Sequence, residues 1–212
     1  MNLFTKLIFY LKRPWLIIVE NEEKNQTAEA IFYVLSPFFK VEKVKELNSR
    51  NILKNRILIL SSNLKEDLAF LVKKSKKTIL VITNPNKTPR ERIRLAKQLP
   101  ARASLILNFD NEMAKEIGKE SQAPVLTFGF QKRAELYVSD FHTNGLGHWL
   151  DSESQAKPST NFKINYQGNT VPVWLGGTFK KENLYSVLAA VCCGLQFGLN
   201  LIEISRALKN LK

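Results

Sequence analysis

The strongest constraint on the fold is a series of short, branched apolar runs spaced by segments of helical period. Trp15-Leu16-Ile17-Ile18-Val19, Arg56-Ile57-Leu58-Ile59-Leu60, Thr78-Ile79-Leu80-Val81-Ile82, Ser104-Leu105-Ile106-Leu107 and Val125-Leu126-Thr127-Phe128-Gly129 read as strands covered on both faces, with Phe39 to Val44 a shorter one. After the first run, Ala28, Ile31, Phe32, Val34 and Leu35 recur at helical spacing within Thr27 to Leu35. Leu64 to Lys73 places Leu64, Leu68 and Leu71 on one helical face with Asn63 as a cap, and a basic helix from Arg90 to Gln98 follows the breaks at Pro85 and Pro89. Another helix follows Asn108-Phe109-Asp110-Asn111 and runs to about Lys119. The alternation predicts an α/β protein: a mostly parallel sheet with helices on both faces.

The pattern changes after Gly129. Ala134 to Asp140, Gly147 to Ser152, Asn161 to Tyr166 and Thr170 to Leu175 read as short alternating strands, separated by the turn signals Thr143-Asn144-Gly145 and Gln167-Gly168-Asn169. They predict a small antiparallel extension over about residues 130–176, followed by two helices, Lys180 to Phe197 and Leu201 to Leu211, joined near Gly198.

The 212 residues fit one large domain or two small ones, and 44% are hydrophobic, enough for a substantial core. Lysines and arginines number 32 against 19 acids, a net charge of +13, which raises the prospect of an anionic partner. The lysines are spread along the chain without an RNA-binding aromatic signature, so a solvated surface is the default and nucleic acid is disfavoured. His142 and His148 are the only histidines, which argues against zinc. Adjacent Cys192 and Cys193 are poorly placed for a mutual disulfide and are expected to pack as small apolar groups. No stretch approaches the roughly 20 apolar residues that span a bilayer, and a cytoplasmic location is expected. Residues 1–13 form a basic amphipathic helix, with Leu3, Phe4, Leu7, Ile8 and Leu11 among Lys6, Lys12 and Arg13. It either rests weakly on an anionic membrane or covers the sheet edge, the second being the default.

Ligands of such sheets bind beyond the carboxyl ends of the strands, where Glu20 to Gln26, Ser61-Ser62, Thr83-Asn84 and Asn108 to Asn111 should gather. A phosphate-binding turn after the first strand needs glycines, a lysine and a hydroxyl residue. Glu20-Asn21-Glu22-Glu23-Lys24-Asn25-Gln26 supplies three carboxylates and no glycine. Like charges a few ångströms apart repel by roughly 1 to 4 kcal/mol per pair. The plain reading is an ordinary strand-to-helix turn whose acids favour the helix N-terminus.

Several phrases, in order along most of the chain, resemble the central ATP-binding domain of the Mur ligases. They are Pro14 to Val19 with Thr27-Ala28-Glu29-Ala30-Ile31, Val81-Ile82-Thr83-Asn84, Leu107-Asn108-Phe109-Asp110, Thr127-Phe128-Gly129 and Glu182-Asn183-Leu184-Tyr185-Ser186-Val187-Leu188-Ala189-Ala190. The last is similar to the family's His-Asn-x-x-Asn-x-Leu-Ala-Ala helix start. The branch it looks most like adds D-alanyl-D-alanine to a UDP-muramoyl tripeptide. The resemblance implies residues 14–212 as a Mur-like central domain with a P-loop-NTPase-like sheet, and the family's activity is ATP- and magnesium-dependent amide-forming ligation; an active UDP-muramoyl-peptide ligase with an atypical ATP site is the alternative reading.

Here the family pattern is broken. Glu20 to Thr27 stand where it has Thr-Gly-x-x-Gly-Lys-Thr-Thr, Ser61 where it has a magnesium-holding glutamate, Glu182 for its histidine and Ser186 for its second asparagine. Its histidine motif after the Ile-Thr-Asn strand is missing, and the chain ends at Lys212, where an active ligase would continue into a C-terminal domain. Phosphoryl transfer depends on positioning and charge neutralisation, so loss of these groups implies a pseudoenzyme with no catalytic or metal-binding residues and with ATP and Mg2+ binding lost. The expected role is a scaffold or regulator touching another cell-wall synthesis protein, with a basic module binding nucleic acid or anionic membrane as a further alternative. Asn108, Asp110 and Asn183 match positions toward the family's adenine and ribose end and are the candidates for any residual nucleotide contact; their alternative roles are caps and helix starts.

Overall fold

A computed structural model describes residues 1–20, 26–54, 56–61, 68–84, 89–144, 158–209 and 211. Its strands β1 (Trp15–Val19), β2 (Val41–Val44), β3 (Ile57–Ser61), β4 (Lys77–Ile82), β5 (Ser104–Asn108), β6 (Val125–Gly129), β7 (Leu136–Asn144), β8 (Ser159–Tyr166) and β9 (Asn169–Gly176) form one nine-stranded sheet in the order β2-β3-β1-β4-β5-β6-β7-β8-β9. β1 to β6 run parallel, β7 joins β6 in parallel over two residue pairs, and β7, β8 and β9 are antiparallel. The apolar runs are buried on both faces for the reason their composition suggested. Ile17, Ile59 and Val81 face one core while Leu16, Leu58 and Leu80 face the other.

The first core is closed by α2 (Gln26–Leu35), α7 (Lys181–Gln196) and α8 (Leu201–Leu208). Gly194 lets these helices approach: a Cβ there would lie 2.8 Å from Ile204 Cδ1 and 3.0 Å from Val34 Cγ1. Cys192 and Cys193 are free and fully buried in α7, and burial raises both thiol pKa values. The second core is closed by α3 (Ser49–Lys54), α4 (Leu68–Lys74), α5 (Pro89–Lys97) and α6 (Met113–Lys119).

Several boundaries differ from the sequence reading. α3 was not anticipated: its six residues are too few to display a helical period, and reciprocal side-chain to backbone bonds between Asn48 and Asn51 start it instead. β7 continues to Asn144 through a bulge between Ser139 and His142, with Asp140 at φ 51°. The strand expected at Gly147 to Ser152 and the turn residue Gly145 lie outside the described residues. The β8–β9 turn falls where Gln167-Gly168 signalled it, both residues having positive φ as a type I′ turn requires. The N-terminal helix α1 (Leu3–Lys12) covers α3 and α4 rather than a bare sheet edge; Phe9 is buried and meets the Phe70 ring at 6.1 Å.

Candidate functional site

Strand order reverses at β1: the chain leaves it for β2 and β3 on one side, then returns to β4 on the other. The crevice between the carboxyl ends of β1 and β4 is the place where such sheets hold ligands. Among the described residues, Glu20 and Arg92 meet there. Glu20 directly follows β1, tied by its backbone N–H to Val81 O at 3.1 Å. Arg92, from the first turns of α5, reaches in so that Nε lies 2.7 Å from Glu20 Oε2, and the two side chains are 1% and 10% exposed. Arg92 Nη1 also donates to the carbonyl of Asn84 just beyond β4. At that distance the two side chains form a buried ion pair. Burial raises the Glu20 pKa, and the Arg92 charge only partly opposes this.

The segment was singled out for its carboxylates, but its partner was missed. Arg92 had a legible signal: it lies four residues before Ala96 and seven before Leu99, both buried, and so occupies the inward stripe of α5. Asn21 to Asn25, including Glu22, Glu23 and Lys24, lie outside the described residues, as does Ser62. Ser61 ends β3 opposite Val19, at the same edge.

At the neighbouring strand end, Asn108 and Asp110 lie together. Asn108, at the end of β5, donates to Thr83 O at 3.0 Å and accepts the backbone N–H of Asp110 at 3.1 Å. The Asp110 carboxylate accepts from the backbone N–H groups of Phe130 and Gln131, at 2.7 and 3.1 Å, and from the Tyr185 hydroxyl at 3.0 Å. It lies so close over Gly129 that a Cβ there would come within 2.7 Å of Asp110 Oδ1. Asp110 therefore clips the end of β6 and the start of α7 to β5. Burial and this carboxylate push the Tyr185 phenol above its ordinary range.

Asn183 is not gathered with that pair. It lines a cavity of about 440 Å3 between the starts of α2 and α7 and the loop after β9, with Gln26, Glu29, Ser186 and Phe179. Beside it, Thr27 Oγ1 and Ser186 Oγ meet at 2.9 Å, joining the two helices. Among the described residues of the lining Glu29 is the charged one, and it is paired with Lys43.

These groups fit a magnesium triphosphate poorly. Among the described residues, the crevice presents a carboxylate to it, Arg92 is engaged by that carboxylate, and the adjacent cavity is lined by an acid and no cation. Among the described residues no three His, Cys, Asp or Glu side chains converge as a metal site would require.

Sheet order, double covering by helices and the antiparallel appendage define a Mur ligase-like α/β fold. The chain superposes on MurF from Acinetobacter baumannii with a TM-score of 0.72 at 13% identity, covering 98% of this chain and 49% of that one. It is similar to MurF ligase from Thermotoga maritima, a complex with ADP, at a TM-score of 0.69 and 17% identity, covering 100% and 53%. A pseudomurein peptide ligase type C from Methanothermus fervidus gives 0.61 at 14% identity, over 97% and 51%. By sequence, a UDP-N-acetylmuramate--L-alanine ligase of Alkaliphilus metalliredigens is 21% identical over 119 residues, which are 56% of this chain and 24% of that protein. No protein-family model matches the chain. It thus spans about half the length of these solved structures and about a quarter of the curated relative.

Proposed function

We propose that this is a Mur ligase-like protein that has lost ATP-dependent ligation and serves peptidoglycan precursor synthesis as a scaffold or regulator, contacting a cell-wall synthesis enzyme. The branch it resembles most is the one that joins D-alanyl-D-alanine to a UDP-muramoyl tripeptide. The observation that carries the reading is the buried Glu20–Arg92 pair at the sheet's reversal point, an acid and a base turned on each other. The sequence of Glu20 to Gln26, acidic and without glycine, supports it. Removing the charge stabilisation of a transferring phosphoryl group costs about a thousandfold or more in rate.

Asn108 and Asp110 act, on this reading, as structural clips, because their hydrogen bonds are spent on Thr83, Phe130, Gln131 and Tyr185. Asn183 is the candidate with a side chain on an open cavity and is the place to look for residual adenosine binding. The test is phosphate release from ATP with a UDP-muramoyl peptide and an amino acid or D-alanyl-D-alanine acceptor. None is expected above the protein-free rate; release that needs both substrates would restore an active ligase. Capture on the immobilised full chain should recover a wall-synthesis enzyme, and capture of none would remove the scaffold role.

A further inference from the structure

The described helices include none long and apolar enough to cross a membrane, yet α1 turns its more apolar face to water. Thr5 and Phe9 point inward, while Leu3, Phe4, Leu7, Tyr10 and Leu11 are exposed, Leu3 at 85% and Leu11 at 69%. At 100° per residue these five occupy one continuous arc of about 120°. Monomeric proteins rarely leave a contiguous stripe of this kind in water without a use for it.

A second feature adjoins the end of this helix. A cavity of about 340 Å3 is lined by Lys12, Arg13, Lys40, Lys54, Arg56 and Lys76, with no acid among the described lining residues. The cause is legible in the chain: Lys40, Arg56 and Lys76 each stand immediately before a strand, and Lys12-Arg13 stand just before Pro14 and β1. Because β1 to β4 are parallel, those starts share one edge of the sheet and their cations converge. Leu53, half-exposed on α3, lines the same cleft, and Lys74 Nζ lies 4.8 Å from the Tyr10 ring centroid, so cations rim the apolar arc at two places.

We infer that this face seats the protein on an anionic lipid bilayer, α1 lying in the interface with its apolar arc among the acyl chains and the basic cleft taking lipid phosphates. Charge chooses the occupant. A nucleic acid would satisfy the cleft but leave Leu3, Phe4, Leu7 and Leu11 in water. A second copy would cover the arc but bring two like-charged clefts together. An anionic bilayer offers both an apolar layer and phosphates within the 5–10 Å depth such helices reach.

Flotation of the full chain with vesicles tests this. Binding is expected to mixed phosphatidylglycerol–phosphatidylcholine vesicles, little to phosphatidylcholine alone, and less as salt is raised. Lys12→Gln with Arg13→Gln should weaken it by about fivefold per cation removed. Leu3→Ser with Leu11→Ser, at the most exposed positions and so without consequence for folding, should weaken it by about tenfold or more. A fluorophore on Leu7→Cys should shift to the blue on mixed vesicles only. Equal binding to both vesicle types, variants that bind undiminished, tighter binding to double-stranded DNA, or dimerisation through α1 would each overturn the proposal.

Discussion

The two edges of the parallel sheet are built in opposite ways. At the carboxyl edge, polar side chains are turned on one another: Arg92 on Glu20, Asn108 on the Thr83 carbonyl, Asp110 on the starts of neighbouring elements. At the amino edge, cations that precede neighbouring strands face a shared cleft with no acid among its described lining residues. An α/β sheet ordinarily keeps its ligand chemistry at the carboxyl ends. Among the described residues, the polar side chains at that edge bond to one another, and the cations without an acid beside them lie at the other edge.

If the carboxyl edge is structural, breaking it should cost stability, and unequally. Glu20→Ala leaves Arg92 buried with a charge it cannot lose, so urea unfolding should show a loss of about 3–5 kcal/mol. Arg92→Met should cost less, because Glu20 can take up a proton, and Glu20→Gln with Arg92→Met should recover most of the loss. Equal and additive effects of the two single changes would mean that the side chains do not act as a pair.

Asp110→Ala removes the acceptor of two backbone N–H groups and the Tyr185 hydroxyl. It should cost about 2 kcal/mol, with Asp110→Asn costing less. An Asp110→Ala protein as stable as the wild type would return that residue to the list of ligand contacts.

The smallest expected effect concerns pH. The Glu20 pKa is raised in the folded protein above its ordinary 4.5. The carboxyl's contribution to stability is therefore fully present below that value and lost as pH rises through the folded pKa. Measured against Glu20→Gln, wild-type stability should fall as pH rises above 4.5. A rise over that window would mean the Arg92 charge outweighs burial.

The same contrast explains what was legible in the sequence. Strands buried on both faces declare themselves by uninterrupted apolar runs, and β1, β3, β4, β5 and β6 lie where Ile17, Ile59, Leu80, Ile106 and Leu126 announced them. α3 did not, being shorter than two turns and started by side-chain bonds rather than by a period. Glu20 was legible as an acid at the wrong place for a phosphate, but Arg92 lies 72 residues on in a helix read simply as basic. Asn183 and Asp110 matched one motif set, yet only Asp110 joins Asn108; Asn183 opens on the α2–α7 cavity, a separation set by helix packing that spacing along the chain does not encode. The basic cleft was hidden for a related reason. Lysines that look diffuse in sequence converge once parallel pairing puts all strand starts on one side.

The most direct measurement of the central claim is calorimetric titration of the full chain with magnesium ATP and, separately, with adenosine. A carboxyl edge closed by Glu20 and Arg92 predicts no heat with the nucleotide at millimolar concentration, whether or not adenosine shows weak binding through Asn183. Saturable ATP heat with a dissociation constant well below millimolar, abolished by Lys24→Ala, would contradict it.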